Sequence, residues 1–194
     1  MIDVNTLATK VSAKQNRIHP YKFNMWLGLA GIVMFFAAFT SAYLVMRAQR
    51  SWEHFELPDV FWFSTAVILV SSYTMHLCVK NFKDHRMQRY KVLVTVTAIL
   101  GLVFMLSQLG GFSSRYQRGI TLQWNLSASL LYISVGADIL HVLGGVIALF
   151  IIFFRAYRRN VRTYDPEPIE VVATYWHFVD GLWIYLYIFF LWIR

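Results

Sequence analysis

Apolar residues in this chain gather into five long runs, at roughly 24 to 46, 60 to 79, 92 to 109, 128 to 154 and 171 to 193, separated by short stretches rich in Lys, Arg, Asp and Pro. Each run is close to the ~20 residues that a helix needs to cross a hydrocarbon core about 30 Å thick. A bilayer offers the backbone no hydrogen bonds, so a spanning segment is a helix or a barrel strand, and these runs far exceed the ~9–11 residues of a strand. The pattern predicts an all-α membrane protein: a bundle of five transmembrane helices forming one domain over residues 23–194, preceded by a tail over 1–22. The tail shows no apolar stretch followed by a small-residue cleavage site, so the first span is read as both anchor and insertion signal. Connections of about 12 to 18 residues make consecutive helices antiparallel neighbours.

Inside the runs, small and polar residues recur at helical spacing: Gly28, Gly31, Ala38 and Ala42 in the first, Thr65, Ser72 and His76 in the second, Thr97, Gly101 and Gln108 in the third. Such stripes permit close backbone approach and interhelical hydrogen bonds in membranes, so they are expected to face neighbouring helices. "LPDV" at 57 to 60 marks a helix start, "YDPEPIE" at 164 to 170 a stiff connector, and Trp52, Trp62, Trp124 and Trp192 fall near span ends as interface anchors do.

Composition supports this reading: 58% of the 194 residues are hydrophobic and only 14% charged, which excludes an ordinary soluble domain. The net charge of +8 would suit a nucleic-acid binder, but the basic residues cluster beside the spans and form no stripe of their own, so no nucleic acid is expected. Thirteen of the 18 Lys and Arg fall in the tail, between spans two and three, and between spans four and five. Basic loops stay cytoplasmic, which predicts a cytoplasmic N-terminus and an external C-terminus. The single cysteine, Cys78, excludes an internal disulfide, a thiolate cluster, a two-cysteine copper centre and a Cys-x-x-Cys-His haem attachment. No hydrolase or nucleotide-binding motif occurs.

The candidate chemistry lies in the last two spans. Glu170, Thr174, His177 and Asp180 share one face of the fifth helix, and Ser134, Asp138, His141 and Gly145 share one face of the fourth. At 1.5 Å per residue both aspartates sit about 15 Å from a helix end, near the midplane, each with a histidine three residues toward the cytoplasm. An ionisable side chain there costs roughly 2.5–3.5 kcal/mol to insert, so it should face protein and bond to a partner; Asp-to-His contacts would supply one. Two readings fit, a polar clasp between helices four and five or a proton relay or ion site, and spacing does not decide between them. His76, His141 and His177 also allow a third, a b-type haem held by two axial histidines.

The sequence "YWHFVDGLWIYLYIFF", with Glu170 just before it, closely resembles the last helix of subunit III of the haem-copper terminal oxidases. "MFFAAFTSAYLVMR", "LPDVFWFSTAVILVSSYTMH", "LGLVFMLSQ" and "DILHVLGG" resemble that family's other helices in the same order, bringing in Ser71, Ser72, His76, Gln108, His141 and Gly144 over residues 21 to 194. Two positions depart from the family pattern. Gly31 and Ile32 stand where many members have Ser-Glu, and Asp138 stands where the first histidine of G-x-H-G-x-H is usual.

The resemblance implies the five-helix bacterial form of the subunit. It would have no catalytic residue, cofactor or metal site of its own, and it would pack against catalytic subunit I, and subunit II, in the bacterial inner membrane. Haem and copper would lie in those partners. It would bind phospholipid, support proton uptake and stabilise the catalytic subunit, with His76, Gln108, Asp138, His141, Glu170, His177 and Asp180 as a buried polar network. Cytochrome c is the expected electron donor of such a complex. A quinol oxidase or a nitric-oxide-reductase-associated relative is the alternative, a respiratory supercomplex is a further setting, and a stand-alone proton-coupled transporter is the rival from another class.

Overall fold

The computed structural model describes residues 20–47, 60–117, 126–158 and 166–193. They form five helices: α1 (Pro20–Arg47), α2 (Val60–Lys83), α3 (Met87–Gln117), α4 (Leu126–Tyr157) and α5 (Glu167–Ile193). There is no strand among the described residues. Each helix holds a segment of 23 to 27 residues long and apolar enough to cross a membrane.

The helices overrun the apolar runs, most clearly between α2 and α3. There the expected loop of about a dozen residues shrinks to Asp84–Arg86, because "KNFK" and "MQRYK" have good helix propensity and long basic side chains can reach water from a helix end. His85 takes a left-handed conformation, φ 56°, and closes the turn. Arg86 N donates to Asn81 O and His85 N to Phe82 O, the paired bonds of a Schellman cap. Pro20 opens α1, where its missing N–H is no loss. Trp52, Trp124 and residues 57–59 and 164–165 lie outside the described residues. Trp62 and Trp192, 69% and 71% exposed, stand near helix ends as expected of anchors.

Packing arranges α2, α3, α4 and α5 as a four-membered ring, each touching the next and α5 closing on α2. Helix α1 lies outside this ring, against α4 and α5 only. Across the ring, the Trp183 ring of α5 makes edge contacts with Phe61 of α2 and Phe104 of α3. Trp176, fully buried, reaches Gly101 of α3 and Gly145 of α4, where any larger residue would meet its ring. The two indoles are also pinned to α2: Trp176 Nε1 donates to Ser71 Oγ and Trp183 Nε1 to Thr65 Oγ1, both at 3.2 Å. Thr74 and Thr97 hydroxyls, 2.9 Å apart, join α2 to α3.

Outer surfaces are apolar too, as at Trp26, Met34, Val45, Leu140 and Phe154. Lipid tails are as greasy as leucine, so apolarity does not separate inside from outside, and small and polar residues decide the packing. The third-span stripe obeys this, since Thr97, Gly101 and Gln108 are all buried. The first-span stripe does not. Gly28, Gly31 and Ala38 are exposed, with open space beyond the two glycines, and α1 packs instead through Leu29, Phe36, Thr40 and Tyr43. Aromatic edge contacts explain the choice: Phe36 meets His141 of α4, Tyr43 meets Phe189 and Phe190 of α5, and Thr40 Oγ1 lies 3.0 Å from the Tyr185 hydroxyl.

Candidate functional site

Ionisable and polar side chains from four helices fall into two groups, one facing an open side of α5 and one inside the ring. The open side exists because α1 and α2 both lean on α5 without touching each other. Between them α5 shows Glu170, Thr174 and His177, half-buried, and then Gly181 and Ile188, exposed. At the end bearing the α2–α3 turn, Glu170 is gripped from both sides: Lys22 Nζ of α1 lies 3.0 Å from Oε2 and Lys83 Nζ of α2 lies 2.8 Å from Oε1. One carboxylate thus joins two helices whose backbones do not otherwise approach each other closely. Further along, the Ser72 hydroxyl of α2 lies 2.6 Å from His177 Nδ1.

His76, expected among the buried groups, is exposed. It lies on α2 one turn from Ser72, close enough to His177 for the two rings to interact electrostatically. The 7-residue spacing from Thr65 to Ser72 follows the α2–α5 contact, and the helical advance to 76 carries the histidine past its edge.

Inside the ring, the expected Asp-to-His contacts are absent. His141 Nδ1 is 2.7 Å from the Ala137 carbonyl on its own helix, and His177 is taken by Ser72. The histidines therefore satisfy themselves locally, as a polar side chain in hydrocarbon does when a carbonyl or hydroxyl is nearer than the carboxyl. Among the described residues, nothing is in full hydrogen-bonding geometry with the carboxyls of Asp138 and Asp180 or the amide of Gln108. The Ser72 hydroxyl also stands close enough to Asp180 to act on its carboxyl, without meeting full hydrogen-bonding geometry. Tyr175 donates to the His141 carbonyl at 3.0 Å and clamps α4 to α5 at this level.

The three histidines thus divide between the open face, α2's outer surface and the α1–α4 contact, which is not the facing pair that a b-type haem needs. Among the described residues no group of three or more His, Cys, Asp or Glu side chains is placed to hold a metal ion. Sequence reasoning missed Lys22 and Lys83 as partners of Glu170, having read them as topology signals. It also missed Trp176 and Trp183 as the ring's central rungs; their seven-residue spacing in "WHFVDGLW" was the available signal.

Five long apolar helices mark a multi-pass membrane protein, and comparison with known proteins assigns its family. The family model for cytochrome c oxidase subunit III matches residues 18–194. The chain belongs to this family, and so to a membrane-bound haem-copper oxidase complex of the respiratory chain. It is similar to cytochrome c oxidase subunit 3 of Bacillus sp. (strain PS3), 26% identical over 84% of this chain and 80% of the relative. The probable quinol oxidase subunit 3 of Staphylococcus haemolyticus (strain JCSC1435) is 25% identical over 95% and 92%. The probable cytochrome c oxidase subunit 3 of Mycobacterium leprae (strain TN) is 27% identical over 95% of each chain.

Proposed function

We propose that this chain is the accessory third subunit of a proton-pumping oxidase in the bacterial inner membrane, with its N-terminus cytoplasmic and no redox centre of its own. Haem and copper reside in subunits I and II, against which it packs. It holds phospholipid on the α5 face between α1 and α2, keeps the catalytic subunit stable and supports its proton supply. The observation behind the lipid role is the pairing of that uncovered face with Lys22 and Lys83 at its basic end. Acyl chains would lie along Gly181 and Ile188, while the two ammonium groups, with Glu170 between them, would meet the headgroup phosphate. Cytochrome c is the donor in this reading. Quinol is the second reading, favoured by the Staphylococcus haemolyticus relative, and a two-cysteine copper motif in subunit II would separate them.

Gentle detergent extraction tests the assembly: a haem- and copper-bearing subunit is expected to co-purify, and a chain that emerges alone refutes the proposal. The lipid role has its own test. Lys22→Gln combined with Lys83→Gln is expected to lower the phospholipid retained per complex, measured by mass spectrometry, with the haem spectrum unchanged. Glu170→Gln removes only the shared carboxylate and is expected to leave the lipid in place, at a stability cost of about 0–1 kcal/mol for a part-exposed ion pair. Unchanged lipid in the double lysine variant would remove the headgroup role.

A further inference from the structure

Gln108 and Asp138 are fully buried and Asp180 is 2% exposed, yet among the described residues six atoms have no partner in full hydrogen-bonding geometry: both carboxyl oxygens of each acid, with Ser72 standing beside Asp180, and both amide atoms of the glutamine. Helix register places these side chains within about one helical turn of each other in depth. A Cβ at Gly101 would touch Trp176 of α5 and Val146 of α4, which marks one common depth on α3, α4 and α5. From that depth Gln108 lies seven residues along α3 and Asp138 eight residues along the antiparallel α4, about 10–12 Å in the same direction. Seven residues are nearly two full turns, so Gln108 shares the face of Gly101, and Asp138 the face of Gly145, the two glycines that meet Trp176 inside the ring. Asp180, four residues from Trp176, is about 6 Å along in that direction, and the two carboxyls lie close enough to feel each other's charge.

What could satisfy them is limited by their surroundings. The lysines on Glu170 are ten residues away along α5, about 15 Å, and engaged. Most flanking hydroxyls are taken. Ser134 donates to Leu130 O, Thr97 to Leu93 O and Thr65 to Phe61 O, and Ser71 accepts from Trp176; Ser72, which lies against His177, is the hydroxyl that also stands beside Asp180. Tyr175 is spent on His141 O, and His141 on Ala137 O. A divalent cation stripped of its water wants about six or more oxygens, and three side chains are too few. A water molecule needs two to four polar partners and can both donate and accept, which suits carboxyls and an amide alike.

We propose that Gln108, Asp138 and Asp180 form an internal hydration site, binding a small cluster of exchangeable water molecules within the α2–α5 ring with the two acids as its proton-bearing walls. The site is independent of the electron donor and of the lipid role. It depends on Asp138, one of the two places where the sequence departs from the family pattern.

Infrared spectroscopy of the purified complex in light and heavy water tests it. A protonated-carboxyl stretching band is expected that Asp138→Asn or Asp180→Asn weakens and that shifts within minutes of transfer to heavy water. Gln108→Met, which keeps the volume but removes the amide, is expected to slow that shift severalfold. Asp138→Glu moves the band without deleting it, so the assignment stands even where the asparagine variant does not fold. A band that stays put for hours marks a dry site and overturns the proposal. So does the lack of any protonated-carboxyl band sensitive to these substitutions, or a band that shifts when sodium replaces potassium in the buffer.

Discussion

Truncating Trp176 to alanine is expected to cost the folded subunit about 3–5 kcal/mol, the range for emptying a buried aromatic site. The indole spans the centre of the ring, fully buried, and a Cβ at Gly101 would lie 2.8 Å from its Cη2 while one at Gly145 would lie 2.9 Å from its Cε3. Both contacts are with a rigid ring that has little room to retreat. Gly101→Ala or Gly145→Ala in the native background is therefore expected to cost about 1–3 kcal/mol through overpacking. With Trp176→Ala already present, the same alanines are expected to fill part of the hole and cost little. Thermal unfolding of the five variants in the purified complex gives the comparison. A neutral Gly101→Ala in the native background would show that the ring is not wedged against α3.

Ser71→Ala is expected to cost about 1–3 kcal/mol, the penalty for leaving a buried donor without its acceptor. Ser71 is fully buried and its Oγ receives the Trp176 N–H from across the α2–α5 contact. In a Trp176→Phe background there is no donor to orphan, so Ser71→Ala should then be nearly harmless, and the cycle should return a coupling of 0.5 kcal/mol or more. Equal cost in both backgrounds would mean that serine acts by packing and not by its hydroxyl.

Much of the architecture could be read from the chain because the bilayer imposes a length and a polarity on each span. The five apolar runs all became helices, and Gln108, Asp138, Gly145 and Asp180 lie buried on the faces that periodicity assigned to them. Which face meets which neighbour was harder to read. Gly28 and Gly31 look like a helix-packing stripe, but Phe36 and Tyr43 found aromatic partners on α4 and α5 and turned the glycines outward. The same limit applies to the acids. A carboxyl and an imidazole three residues apart on one helix can bond only if no nearer carbonyl or hydroxyl wins, and Ala137 O and Ser72 Oγ won. Glu170 was legible as an interfacial acid, but its two lysines come from residues 22 and 83, and only the tertiary fold brings such distant positions together.

The position of α1 has a consequence for biosynthesis. It is synthesised before α2 and α3, yet among the described residues it packs on α4 and α5, which follow them. Helices α2 and α3 can pair as a hairpin the moment both are inserted, whereas α1 must wait in lipid for the Tyr185 and Glu170 that Thr40 and Lys22 meet, until α4 and α5 have followed. Interrupting synthesis before α5 would thus strand α1, and membrane quality control would have an orphaned helix to recognise.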